Sequence, residues 1–87
     1  MIIVKVRHSD NGQEFIFRTP THLTAGTAVL VETKRGKQPG MVSTDSIEIS
    51  EELFNYIVSP YTNGKPPQLR NVLGRYHFTE FLTTSEQ

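Results

Sequence analysis

The chain has 87 residues, enough for one small hydrophobic core and too few for two. With 36% hydrophobic and 21% charged residues it has the composition of a globular protein rather than a disordered one. Nine basic residues balance nine acidic ones, and the absence of cysteine excludes disulfides and thiolate metal sites and favours an intracellular, cytoplasmic protein.

The N-terminal "MIIVKVRHSD" meets charge within five residues, which leaves no room for the apolar core of a signal peptide. No run approaches the roughly 18 apolar residues of a membrane helix, so no membrane partner is expected. Asn11-Gly12 is a strong two-residue hairpin signal, because a type I′ turn needs positive φ at both central positions. A hairpin turning there pairs Val6 with Phe17, His8 with Phe15 and Val4 with Thr19, and sets Val4, Val6, Phe15 and Phe17 on one face. It also sets Lys5 against Arg18, a like-charge pair tolerable on a wet face or against a bound anion.

Residues 19–27, "TPTHLTAGT", read as a connector punctuated by Pro20 and Gly26. The most legible stretch follows, "VLVETKRGKQPGMV" over residues 29–42. It reads as two strands joined by a turn in which Lys34 and Arg35 take the right-handed positions and Gly36 the left-handed one. That turn is expected to place Val29 and Val31 on a face with Met41, and Leu30 on the other with Val42. Gly40 in the return strand marks a bend or a close backbone approach.

"STDSIEIS" continues as a short strand through Ile47 and Ile49. Ser50 then caps a helix over residues 51–58, with Glu51 and Glu52 in the first turn, an apolar stripe of Leu53, Phe54, Ile57 and Val58, and Pro60 as its stop. "PYTNGKPPQ" is a loop with a turn at Asn63-Gly64. "LRNVLGRYHFTEF" fits either periodicity, and Gly74 with the aromatic content decides for a strand. Residues 83–87 read as a frayed tail to a single domain over residues 1–82. These elements predict an all-β or β-rich α+β fold, a small curled antiparallel sheet or an SH3-like or OB-like barrel with one short helix.

"AGTAVLVETKRGKQPGMV" resembles a hairpin found in the C-terminal region of the polymerase-suppressor (PSP-type) family, through Gly26, Val29, Val31, Glu32, Thr33, Arg35, Gly36, Gly40 and Val42. It is also similar to the KOW element of ribosomal and transcription-elongation proteins and to the entry hairpin in the DNA-binding domain of the primosomal helicase. The resemblance covers residues 26–42 only. It implies a small barrel attached to nucleic acid or to RNA-processing machinery.

Charge points the same way. Residues 1–44 hold six Lys/Arg (Lys5, Arg7, Arg18, Lys34, Arg35, Lys37) against three acids, while residues 45–87 hold three against six. These six cations, with Arg75 and Tyr76 beside His77 and Phe78 as a stacking platform, are the candidate nucleic-acid contacts. A solvated turn and core aromatics explain the same residues more simply. The second candidate surface is for a protein partner, through a sheet edge or the helix stripe Leu53, Phe54, Ile57 and Val58. A homodimer would add buried area to a small core.

His8, His22 and His77 stand far apart without acidic or thiol neighbours at ligand spacing, so no metal or other cofactor is expected. Asp45 to Glu52 lacks the spacing and glycine of a calcium loop. No nucleophile, base and oxyanion-hole set is discernible, so the chain is expected to be a non-catalytic binding module.

Overall fold

The computed structural model describes residues 1–8, 13–64 and 68–76. Six strands, β1 (Ile2–Arg7), β2 (Glu14–Thr19), β3 (Ala28–Thr33), β4 (Gly36–Val42), β5 (Ile47–Glu48) and β6 (Val72–Arg75), form one sheet, and helix α1 (Glu51–Thr62) lies between β5 and β6 in sequence. The strand order is β2-β1-β4-β3-β6, with β5 paired to the start of β1. Every strand pair is antiparallel. The two ends of this order curl towards each other until the Arg18 N–H donates to the Arg70 carbonyl at 2.9 Å, beside a parallel bridge between Arg18 and Asn71. This is the small curled, β-rich sheet with one helix that the strand spacing predicts.

Curling gives the sheet an inside. Val4, Val6, Phe17, Leu23, Val29, Val31, Val42 and Val72 form the core cluster, and Val6, Val29 and Val31 have no exposed surface at all. β-branched valines suit this position, because their restricted side chains pack on a pleated surface at little rotamer cost. Leu23 belongs to the connector rather than to a strand. Its backbone is tied down by Ser46, whose hydroxyl accepts from the Leu23 N–H and whose N–H donates to the Leu23 carbonyl, both at 2.8 Å.

The registers differ from expectation in two instructive ways. In β1–β2, Val4 pairs with Phe17 and Val6 with Phe15, two residues away from the register of a tight Asn11-Gly12 turn. A shift of two keeps the same side chains on the same face, so Val4, Val6 and Phe17 are still buried, but Phe15, one pair from the end of the ladder, is 44% exposed. Lys5 is then opposite Ile16, and Arg18 opposite Ile3, which removes the expected like-charge pair. The Asn11-Gly12 turn itself lies outside the described residues.

In β3–β4 the shift is of one residue. Thr33 pairs with Gly36 around a two-residue tip, so Val29 lies opposite Gly40 and Val31 opposite Gln38, and both share their face with Val42 rather than with Met41. Burial explains the outcome: Val42 is 1% exposed and Met41 49%, so this register collects three valines inside where the alternative would bury the flexible methionine. Gly36 has φ +97°, as a left-handed turn residue requires. The Thr33 hydroxyl donates to the Gly36 carbonyl at 2.8 Å and accepts from the Arg35 N–H at 3.1 Å, which locks the tip.

Gly40 fulfils its expected role. A Cβ built there would meet Val6 Cγ1 at 2.5 Å and the Arg7 carbonyl oxygen at 3.2 Å, so β1 and β4 approach this closely because position 40 has no side chain. In β6 the strand reading holds for Val72–Arg75. Val31 pairs with Val72 but Leu30 with Gly74, so Leu73 is the extra residue of a bulge. His77, Phe78 and the expected domain boundary at residue 82 lie outside the described residues.

Helix α1 runs to Thr62, beyond the expected end at Val58, and Pro60 lies inside it. Proline removes the N–H that would bond the carbonyl of Tyr56, and the Ser59 hydroxyl donates to that same carbonyl at 3.1 Å. The freed acceptor is therefore satisfied and the helix continues. It ends at Asn63, in the left-handed region at φ 55°, whose N–H caps the Ser59 carbonyl. At the other end Ser50 is the expected N-cap, its hydroxyl accepting from the Leu53 N–H at 3.1 Å.

Candidate interaction surfaces

Strand alternation sorts the candidate cations. Lys5, Arg7 and Arg18 project from the outer face of β1–β2, opposite the valine core, and the Arg7–Met41 pairing continues that face to Lys37 on β4. Four of the six candidate cations thus share one face. Lys34 and Arg35 stand apart from them, at the tip of the β3–β4 hairpin.

Acids are interleaved with this face. Glu14 is directly across from Arg7 and Glu32 directly across from Lys37. Arg18 is engaged by α1, its guanidinium 3.0 Å from Glu51, with side chains 46% and 67% exposed. An ion pair this wet contributes little to folding, but it neutralises one cation of the face and one acid of the helix. Among the described residues, Lys5, Lys34 and Arg35 are the members of the six with no acid opposite them in the strand registers and no ion pair. Arg75 is exposed across from Val29, and Tyr76 is partly buried with its N–H bonded to the Ala28 carbonyl at 2.9 Å. The remaining members of the expected stacking platform, His77 and Phe78, fall outside the described residues.

The helix surface has the opposite character. Of the expected stripe only Phe54 is buried, at 5% exposure, with Val58 intermediate, whereas Leu53 and Ile57 are half exposed at 50% and 52%. Extension of the helix past residue 58 adds Tyr61, which with Tyr56 is the most exposed large hydrophobic residue described, at 87% and 78%. At 100° per residue, Leu53, Ile57 and Tyr61 form a single row along the helix, with Tyr56 and Pro60 beside it. The polar side is made of Glu52, Asn55 and Ser59. An amphipathic helix normally turns its apolar row inward, and here Phe54 and Val58, at one margin of the apolar arc, are the most shielded of it. The spacing of the two tyrosines was readable in the sequence, but only to a reader who let the helix continue through Pro60.

Other features are modest. On the outer face an open hollow of about 100 Å3 is lined by Ile3, Lys5, Ile16, Asp45 and Ile47 among others. That is well below the roughly 300 Å3 at which ligand pockets begin. Asp45 accepts from the Ala25 N–H at 2.8 Å, a local loop contact. His22 contacts the Ser46 hydroxyl at 3.1 Å and Glu48 at 3.8 Å, and His8 approaches the Pro39 carbonyl and the rings of Phe15 and Phe17. Among the described residues no three His, Asp or Glu side chains are placed to hold a metal ion, and no helix is long and apolar enough to cross a membrane.

Comparison with protein-family models, with curated proteins and with solved structures finds no match for this chain.

Proposed function

We propose that the protein is a non-catalytic interaction module that holds another protein surface through α1. The observation that carries this reading is the exposed row Leu53, Ile57 and Tyr61 on a helix capped at both ends. Apolar side chains at i, i+4 and i+8 are the anchors by which a helix docks on a protein surface, and tyrosine suits such contacts because it supplies area at low entropy cost. Both the cap at Ser50 and the left-handed stop at Asn63 pre-form the helix, so little ordering is left to be done on binding.

A second reading, contact with nucleic acid, is supported by the common face of Lys5, Arg7, Arg18 and Lys37 and by the separate cationic tip at Lys34 and Arg35. Against it stand Glu14, Glu32 and Glu51, each opposite or bonded to one of those cations. One experiment separates the two. Wild-type chain, Ile57→Glu and the triple reversal Lys34→Glu, Arg35→Glu, Lys37→Glu are immobilised in parallel, exposed to cell extract, and separately titrated with single- and double-stranded oligonucleotides at low salt. The helix reading expects protein capture by the wild type and the triple reversal, lost in Ile57→Glu. Oligonucleotide binding that the triple reversal removes and salt weakens is the outcome for the second reading.

A further inference from the structure

The C-terminal end of α1 carries a reactive pair. Asn63 and Gly64 are both exposed, and the side-chain amide carbon of an asparagine can close a cyclic imide with the backbone nitrogen of the next residue. That nitrogen is least covered when the next residue has no side chain, and at Gly64 nothing lies within 4 Å of where a Cβ would stand. We propose that Asn63 is a site of spontaneous covalent modification, deamidation through a cyclic imide with Gly64, gated by opening of the last turn of α1.

The reaction needs no partner other than water. The Gly64 amide gives its proton to solvent base, its nitrogen bonds to Asn63 Cγ, and the side-chain nitrogen takes up a proton and leaves as ammonia. Water then opens the ring. Cleavage of the bond from Cγ to the ring nitrogen leaves an aspartate at position 63, and cleavage at the main-chain carbonyl leaves an isoaspartate, in which the backbone runs through the former side chain. No oxidation or reduction takes place.

The fold sets the timing. The Gly64 N–H donates to the Ser59 carbonyl at 3.0 Å, and the Asn63 N–H caps the same oxygen, so in the closed turn the attacking nitrogen is held by its proton. This is also the weak end of the helix. Pro60 removes one N–H donor, the Thr62 hydroxyl reaches the Val58 carbonyl only at 3.4 Å, and no basic residue in the last turn offsets the negative end of the helix dipole. Such an end opens far more often than the whole domain unfolds. Both products add a carboxylate at that negative end, and isoaspartate also lengthens the backbone between the two N–H groups that share the Ser59 carbonyl. Conversion therefore holds the turn open and loosens Tyr61, which the turn carries.

The full chain is incubated in buffer and in guanidinium chloride at the same pH and temperature, then mapped by peptide mass spectrometry, with electron-transfer fragmentation separating aspartate from isoaspartate. At Asn63 the mass gain of an amide NH2 replaced by a hydroxyl is expected in both, about 10- to 100-fold slower in buffer, the range of a fraying helix end. In guanidinium chloride Asn11 before Gly12 should convert at a similar rate and serves as the ungated reference. Pro60→Ala restores the missing N–H and should slow conversion in buffer several-fold while leaving the denatured rate unchanged. Amide exchange in the last turn should be faster in Asn63→Asp than in Asn63→Gly, which keeps a left-handed cap and has no side-chain amide to lose. A buffer rate equal to the denatured rate, or below about a thousandth of it, would overturn the proposal. So would a rate that follows Phe17→Ala and ignores Pro60→Ala, which would make global unfolding the gate, or equal exchange in the two position-63 variants.

Discussion

Val6, Val29 and Val31 in the sheet have no exposed surface, whereas Leu53 and Ile57 in α1 keep about half of theirs and Tyr61 almost all. Both regions have capped or locked backbones, and both obey their periodicity. The difference lies in what each periodicity finds opposite it. A curled sheet supplies its own second wall, so every inward valine meets another strand. A lone helix has no such partner built in, and α1 buries Phe54 while the adjacent row of Leu53, Ile57 and Tyr61 stays outward. Folding free energy is therefore concentrated in the sheet, while α1 keeps a row of apolar side chains in solvent.

The contrast breaks first at Phe17. Phe17→Ala removes a 5% exposed ring from the core cluster and should cost about 3–5 kcal/mol, a large share of the roughly 5–10 kcal/mol available to a small domain. Urea titration should find its midpoint far below that of the wild type, and a midpoint near wild type would mean that the sheet is not where stability resides. Gly40→Ala comes next. Its new methyl would overlap Val6 Cγ1, so β1 and β4 must part, at about 1–3 kcal/mol by thermal denaturation.

Gly36→Val tests the backbone instead of the packing. Nothing lies within 4 Å of a Cβ there, so the expected loss of about 1–2 kcal/mol comes only from forcing a β-branched residue to φ +97°. Chemical shifts should place that change at the β3–β4 tip.

Ser50→Ala moves the test to the helix. Loss of the cap on Leu53 N–H should cost about 1 kcal/mol, and amide exchange should rise along residues 51–62 while the sheet keeps its protection. Uniform loss of protection would show that sheet and helix unfold together. Smallest of all, Leu53→Ala should change monomer stability by no more than about 0.5 kcal/mol, because its side chain is half exposed already. A cost comparable with Phe17→Ala would place α1 in the core and remove the contrast.

Much of the architecture was legible in the residues themselves. Gly36 after Lys34-Arg35 supplied the left-handed residue that follows a type I turn, Gly40 marked a bend or a close approach, and Ser50 followed by two glutamates marked a helix start. These signals are local, resting on φ preferences and caps that act within a few residues. Where the structure departs from these local signals, a contact beyond their reach decides. Whether Val42 or Met41 joined Val29 and Val31 depended on a one-residue register, and the burial of a third valine against β1 chose it. Pro60 carried its usual message, yet the Ser59 hydroxyl supplied the bond that let α1 continue.

For the candidate surfaces the division is similar. Sequence alone determined which residues are cationic or apolar, and that Leu53 and Ile57 fall on one helical row. Only the tertiary structure decided that Glu14, Glu32 and Glu51 stand against three of the cations, because strand registers and a contact spanning residues 18 to 51 set those neighbours. Only the tertiary structure, too, decided that Phe54 turns inward while the row beside it stays in solvent. Periodicity states which side chains share a face, but burial depends on whether another element covers that face, and that is settled by how the whole chain curls.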